Sequence, residues 1–440
     1  MRKAALCLAQ LSLLLSIFLL GWMKHPLAIG GLLAIPADLM FLITGLLWLV
    51  ALLTGPARFR FNFAFWLLAL YFAAMALSLS QSQDLPKSAF KLLTELYLLS
   101  LPVLTFNLVR TARDLKLAFA SWIAATGLIG LIGTAAVVSL PILGPDTFLG
   151  WTYHNFGTLP PGPYRRLELT FLMPAALANF LGLGLMLVLI GKRLGWIGAK
   201  PAAAIALVIG VSTFFTLTPG IGGVLFTLGA WAWYCNREVR PRLAAASLAA
   251  GVAMPVLAML AATASPFMPR SSPFMIDVPG LPVMAPSVRL LAWTQAIEKV
   301  RTSPILGHGI GIDRLDVSYE AAGYGPYCNP DAHNVYLNIA TQCGVVGLAA
   351  LLAITAFVVL ILVRAVRTRS DVTAGLSIAW LGGFAAQGLV GAFEDQRHLW
   401  VLLGLILSAR RIFDQPVGDE ASKRLGGRHV HPHDPLPDVA

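Results

Sequence analysis

The chain has 440 residues, of which 57% are hydrophobic and only 12% charged, with a mean hydropathy of +0.75. Soluble domains carry about 25% charged residues, so this composition excludes a soluble globular protein and describes one that crosses a membrane many times. The net charge of +11 does not read as a nucleic-acid surface, because the basic residues fall in short clusters between hydrophobic runs.

At the start, Met1-Arg2-Lys3 precedes a leucine-rich run to Trp22, which looks like a signal peptide. The following Gly21-Trp22-Met23-Lys24-His25 is bulky and basic and lacks a small-x-small cleavage site, so the segment is expected to stay as a first membrane helix. A bilayer core of about 30 Å needs about 20 apolar residues per helix. By that measure spans are expected near 4–22, 31–53, 62–80, 89–109, 117–140, 170–190, 202–218, 220–235, 243–263, 334–363, 372–392 and 398–412, about twelve in all. The seventh and eighth are separated only by the turn at Pro219-Gly220. The expected architecture is all-α: a polytopic membrane bundle over 1–413 with one large loop, 264–333, carrying short helices, and a disordered tail over 414–440.

The basic clusters give the orientation. Arg2/Lys3, Arg58/Arg60, Arg110/Arg113/Lys116, Lys192/Arg193/Lys200, Arg237/Arg240/Arg242, Arg364/Arg367/Arg369 and Arg410/Arg411 all fall on one side of consecutive spans, which the positive-inside bias makes cytoplasmic. Both chain ends then lie inside. The long loop, the shorter loop 141–169 and the turn Phe393-Glu394-Asp395 lie outside. Four scattered cysteines offer no metal spacing and no disulfide framework. A Cys328–Cys343 bridge is not expected, because Cys343 should lie about nine residues, roughly 13 Å, into a helix. His429, His431 and His433 in the tail could bind a metal, but a disordered terminus is the stronger reading.

Chemistry-bearing residues concentrate in and around the long loop. Ser287 to Arg301 reads as an amphipathic helix with Leu290, Trp293, Ile297 and Val300 on its apolar stripe, Ser287 as N-cap and Pro304 ending it. Arg289 falls in the first turn, where a cation opposes the helix dipole. That is a poor structural choice and a good anion clamp, although a guanidinium snorkelling to lipid headgroups competes evenly. Asp331-Ala332-His333-Asn334 closes the loop at the start of the next span. His333 can take a proton from an alcohol near neutral pH, and Asn334 can orient a hydroxyl or phosphate. A plain polar helix cap competes, and for a His-Asn pair by itself it is the stronger reading. His308, within Gly307-His308-Gly309-Ile310-Gly311, reads foremost as part of a tight turn. Arg165 and Arg166, in Tyr164-Arg165-Arg166-Leu167-Glu168-Leu169-Thr170, are outer arginines that run against the charge bias and so suggest an anion site. Glu394-Asp395 with Arg397-His398 forms another outer charged cluster, readable as an ion-paired turn. Asp313, Asp316 and Glu320 have the spacing of a solvated loop face, with metal binding a minor alternative. No phosphate-cradling glycine-lysine loop, paired-histidine zinc helix or serine elbow is present.

Taken in order, Arg289, Trp293, Pro304-Ile305-Leu306-Gly307-His308-Gly309-Ile310-Gly311, His333-Asn334-Val335-Tyr336-Leu337 and Cys343-Gly344-Val345-Val346-Gly347-Leu348 resemble the O-antigen ligase and polymerase family of membrane glycosyltransferases. The resemblance is close over about sixty residues, and the topology extends it to nearly the whole chain. Arg166-Leu167 through Pro174 looks like the family's arginine at the outer end of a middle helix. Many relatives carry Ser-Arg-Gly where this chain has Thr218-Pro219-Gly220, a departure that would shift the missing cation to Arg165 or Arg270 or change the activity.

The resemblance implies a donor glycan carried on a polyprenyl diphosphate such as undecaprenyl diphosphate, used at the periplasmic face of the bacterial inner membrane. Transfer would go to a sugar hydroxyl of lipid A-core or another glycan acceptor, with His333 and Arg289 catalytic. Arg166, Arg165, Asn334, His308 and Tyr336 would bind substrate. Guanidinium forks suit a departing diphosphate, at about 3–4 kcal/mol for each preorganised donor. The transfer is expected to be inverting, with no cofactor and no metal; partners are donor, acceptor and membrane lipids, not nucleic acid. A polymerase of the same family is the alternative, although the single dominant loop favours a ligase. A polysaccharide or lipid transporter is the alternative from another class. Such folds show internal repeats and midplane polar residues, and this chain has no visible repeat and Glu95 as its main intramembrane candidate.

Overall fold

The computed structural model describes residues 2–24, 27–29, 32–55, 57–143, 150–159, 162–265, 285–286, 288–311, 317–320, 326–329 and 331–414. These form thirteen α-helices and four two-stranded antiparallel hairpins. In chain order the helices are α1 (Arg2–Leu19), α2 (Pro36–Leu53), α3 (Ala64–Ser78), α4 (Leu85–Leu108), α5 (Ala112–Leu143), α6 (Pro174–Arg193), α7 (Ala199–Phe214), α8 (Ile221–Asn236), α9 (Pro241–Thr263), α10 (Val288–Thr302), α11 (Val335–Thr368), α12 (Asp371–Trp380) and α13 (Arg397–Phe413). Each of the twelve expected spans contains a helix, and α10 is the expected loop helix.

Eight of these helical stretches are long and apolar enough to cross a membrane; α12 qualifies because a π-helical stretch, Leu381–Ala386, and a 3₁₀ turn, Gln387–Leu389, extend it. The remaining four, α1, α7, α8 and α13, are 18, 16, 16 and 17 residues long. Burial separates centre from rim. The span of α6 is 89% buried and that of α12 with its extension 83%, against 22% for α2 and 17% for α9. The central pair is therefore α6 and α12, and the outer helices present Leu42, Leu46 and Leu257 outward. The hairpins were not expected. All four lie in connectors that the charge pattern assigns to the side opposite the basic clusters, the longest pairing Tyr153–Leu159 with Gly162–Leu167.

The basic clusters meet at one end of the bundle. Arg193 pairs with Asp371 at 3.1 Å, Arg237 and Arg369 share Glu238, and Thr373 bonds Asp414 at the end of α13, next to Arg410 and Arg411. Arg411 in turn donates to the Val109 carbonyl beside Arg110. Cys7, Cys235 and Cys343 are free thiols; the Cys328 side chain lies outside the described residues.

One break organises the opposite end. Helix α11 is interrupted at Gly344, with φ 62° and ψ −164°. The carbonyls of Thr341 and Gln342 accept from His308 and Gly309 N–H at 2.9 and 3.0 Å. Reciprocally, the N–H groups of Val345 and Val346 donate to the carbonyls of Pro304 and Ile305 at 2.8 and 3.4 Å. Residues 304–309 thus replace the helical bonds that the break removes. A Cβ on Gly344 would lie 2.1 Å from Ile305 O, and its backbone conformation is one that only glycine adopts readily. Gly344→Ala should therefore cost at least about 3 kcal/mol, read as a large drop in the melting temperature of detergent-purified protein. Gly45→Ala, in α2 with nothing within 4 Å of the new Cβ, should leave it unchanged or slightly raised.

Candidate active site

The end opposite the basic clusters is built around the start of α11. Asn334 is the N-cap: its Oδ1 accepts from Tyr336 N and Leu337 N at 3.0 and 3.1 Å, and its Nδ2 donates to Leu389 O at 3.1 Å. Its side chain is thus committed to the backbone. Tyr336 Oη donates to Ala385 O at 2.9 Å, pinning α11 to the π-helical stretch. Two of the expected substrate-binding residues therefore brace the end of α12 against α11.

His333, just ahead of the cap, has φ 46°, a left-handed conformation that costs a non-glycine residue about 1–3 kcal/mol. Asp331 holds it there. One carboxylate oxygen of Asp331 accepts from the His333 backbone N at 2.5 Å and lies 2.6 Å from Nδ1. Burial acts to raise the Asp331 carboxyl, but the hydrogen bonds and charge of His333 outweigh it and hold the carboxyl below its ordinary value. The imidazole is partly exposed, and binding through Nδ1 leaves Nε2 as the nitrogen that can take a proton. The sequence reading missed this role for Asp331. Its signal was the Asp-x-His spacing, which only a turn with positive φ converts into contact.

Helix α10 is docked over this turn. Trp293 Nε1 donates to Ala332 O, the residue before His333, at 2.7 Å. Ala292 and Ala296 are fully buried against Ala332, with Trp293 and Leu337 alongside. This corrects the expected apolar stripe: Ile297 is 43% exposed, and the docked face is the small-residue one, because alanines let the helix approach the turn closely. Arg289 is half-buried in the first turn of α10, one helical turn before Trp293. The N-cap expected at Ser287, like Arg270, Asp313 and Asp316, the Glu320 side chain and the tail histidines, lies outside the described residues.

His308 has a structural setting. Its Nε2 lies 2.9 Å from Lys299 O and 3.1 Å from Thr302 Oγ1, closing the C-terminal end of α10, while its backbone belongs to the glycine turn. That turn rests on α4: Ser88 Oγ donates to Ile310 O at 2.5 Å, and a Cβ on Gly311 would lie 2.4 Å from Lys91 Cβ.

Beneath the turn runs a buried polar network. Ala332 N donates to Asn338 Oδ1 at 2.8 Å, and Asn338 Nδ2 donates to Glu394 Oε1 at 3.0 Å. The neighbouring Asp395 pairs with Lys91 at 2.5 Å, and Lys91 pairs with Glu95 at 2.8 Å. Arg397 pairs with Asp38 through both carboxylate oxygens, and Tyr97 Oη donates to Asp38 at 2.7 Å. With His398 Nε2 lying 2.7 Å from Asn179 Oδ1, the cluster read from sequence as an ion-paired turn is tied to α2, α4, α6 and α11. Glu95, the intramembrane exception, is one of its members.

Arg166 sits at the same end. It is buried, and its Nε donates to Thr216 O at 3.0 Å, in the turn that continues into Thr218-Pro219-Gly220. Leu167 N donates to Phe215 O, and Glu168 pairs with Lys24 at 2.6 Å, so the hairpin strand is stitched to both α7 and α1. A Cβ on Gly220 would lie 3.3 Å from Gln387 Oε1, and one on Gly388 would lie 3.2 Å from Val335. Residues 387 and 388 thus lie against Gly220 on one side and Val335, at the start of α11, on the other. The Arg165 side chain lies outside the described residues.

Burial and the charge of Asp395 push the Glu394 carboxyl up to about 7, while Asn338 and Lys91 act the other way. A carboxyl raised on folding contributes stability that is fully present below its unfolded value and lost as pH rises through its folded one. The melting temperature should therefore fall as pH is taken through about 7. In Glu394→Gln, which keeps an acceptor for Asn338, this fall should be smaller; equal falls in the two proteins would remove the assignment.

Residues 178–352, from α6 to the middle of α11, match the family model described as O-Antigen ligase. The matched stretch includes α10, the glycine turn, the Asp331–His333 pair and the break at Gly344. No curated protein matches the chain.

Proposed function

From the match of residues 178–352 to the family model described as O-Antigen ligase, we propose that this membrane protein transfers a glycan from a polyprenyl diphosphate to a sugar hydroxyl on an acceptor. The observation that carries the reading is the Asp331–His333 pair, held in a left-handed turn directly under the helix that bears Arg289. In this mechanism His333 Nε2 takes the proton of the attacking hydroxyl while the freed oxygen bonds to the anomeric carbon. The bond from that carbon to the phosphate oxygen breaks on the opposite side, so configuration inverts. The electron pair leaves with the diphosphate, whose charge Arg289 and Arg166 receive in bidentate hydrogen bonds. His333 then releases its proton to solvent. Asp331 keeps Nδ1 occupied and so keeps Nε2 available, and Asn334, Tyr336 and His308 hold the backbone that carries these groups.

The basic end is taken as cytoplasmic, following the positive-inside bias, which puts this site on the periplasmic side of a bacterial inner membrane and both chain ends inside. Ligation to lipid A-core or another glycan is preferred over polymerisation, because one outer loop dominates. Glycan gels from a deletion strain separate the two: accumulated unligated polymer supports ligation, and single repeat units support polymerisation.

With purified protein and lipid-linked donor, His333→Ala and Arg289→Ala should each lower transfer by at least about a hundredfold, at normal membrane abundance. Near-normal transfer in both would dispose of the site. Asp331→Asn should also lose about a hundredfold, in kcat rather than in KM for the donor, because binding groups remain while the imidazole is no longer held correctly. A loss confined to KM would show that Asp331 serves binding instead.

A further inference from the structure

Glycan transfer makes no use of the guanidinium groups gathered at the basic end. Arg60, Arg110 and Arg411 come from the segment before α3, the α4–α5 connection and the last turn of α13. Buried Asn107 fixes the first two. Its side chain accepts from Arg60 N at 2.7 Å and donates to Arg60 O at 3.3 Å, and its carbonyl accepts from Arg110 Nε at 3.0 Å. Arg411 Nη2 donates to Val109 O at 2.5 Å, and its guanidinium lies 4.3 Å from the centre of the Phe106 ring.

Carbonyls and an aromatic face thus position two of these cations, and none of the three has an ion pair among the described residues. The nearby carboxylate of Asp114 is used instead to cap α5, accepting from Arg110 N and Thr111 N at 3.0 and 2.9 Å. Arg110 Nη2 and Arg411 Nη1 are buried donors with no acceptor among the described residues. Burial and the charge of Arg60 pull the Arg110 guanidinium below its ordinary value, with only Asp114 opposing. An arginine that merely marks the cytoplasmic side would keep such donors in water.

A groove of about 240 Å³ adjoins the cluster, walled mainly by leucines (Leu11 and Leu14 of α1, Leu108, and Leu117 of α5), with Arg113 and Asp114 also in its lining. It shares Val109 and Asp114 with the cationic rim. Apolar walls ending in several guanidinium forks match one amphiphile with a phosphate at its end. We propose that this groove seats a single anionic glycerophospholipid of the surrounding membrane, with its phosphate on Arg110, Arg411 and Arg60 and an acyl chain between α1 and α5.

The test uses the full chain in nanodiscs of phosphatidylcholine with or without phosphatidylglycerol, reading melting temperature and, by native mass spectrometry, retained lipid. The wild-type chain should be more stable with phosphatidylglycerol and keep one such molecule. Arg110→Gln/Arg411→Gln should lose about thirtyfold in retention. Because Arg411 also braces Val109 and Phe106, Arg60→Gln is the companion variant. Its side chain is exposed, and it should lose about fivefold without a change in fold. Equal stability and retention in both lipids would overturn the proposal. So would the same stabilisation from inorganic phosphate in phosphatidylcholine alone, or a phosphatidylglycerol effect that emerges only once residues 415–440 are removed.

Discussion

The rest of the structure depends on how α11 is broken. In hydrocarbon every backbone polar group needs a protein partner, and an unsatisfied one costs several kcal/mol. Interrupting a helix at Gly344 strands two carbonyls and two amides, and residues 304–309 satisfy all four through a short two-way ladder. The exchange succeeds only if the glycine turn lies flat on the break, which is why a Cβ at Gly307 or Gly344 would collide with backbone within 2.5 Å. Once laid down, the turn fixes where α10 ends, through His308, and α10 in turn fixes the loop before α11, through Trp293. The functional end of the bundle is thus positioned from below by backbone hydrogen bonds, with side chains adding the final placement.

Charge is divided between the ends by the same logic. At the His333 end, ionic groups are paired around buried Glu95: Lys91 with Glu95 and with the exposed Asp395, and Arg397 with Asp38, the last two partly buried. Such pairs add little net stability, because desolvation offsets most of their attraction. Removing one partner is far more costly, so they specify geometry. Here they hold the turn after α12 against α4 and, through Asn338, against the residue before His333. At the other end the arginines outnumber their carboxylates, and carbonyls and rings place them.

Features set by local pattern were legible in the sequence: the twelve helical spans, the loop helix with Trp293 on its packed side, a turn at Pro219-Gly220, which the structure extends back to Phe215, and the gathering of basic residues at one end. Features set by contact between distant segments were not. Ile297 looked like core because hydrophobic spacing does not reveal that a tight approach selects Ala292 and Ala296 instead. Lys91 and Asp395 are 304 positions apart, and nothing local marks them as partners. Asn334 gave a stronger signal as a cap than as a substrate ligand, and the structure uses it as a cap. Asp331 was visible as a residue, but its role depends on the φ of His333.

The departure at Thr218-Pro219-Gly220 can be weighed in the same terms. Under the proposed reading, a diphosphate needs a cation at a place in space, not at a place in the sequence. Arg166 approaches the turn from the hairpin side, where its Nε donates to Thr216 O. Glu168, two residues on, pairs with Lys24 at 2.6 Å. A cation supplied in this way needs the strand Gly162–Leu167 to stay registered on the turn after α7, and the Leu167–Phe215 backbone bond provides that registration. Arginine position and hairpin register are therefore a single structural requirement.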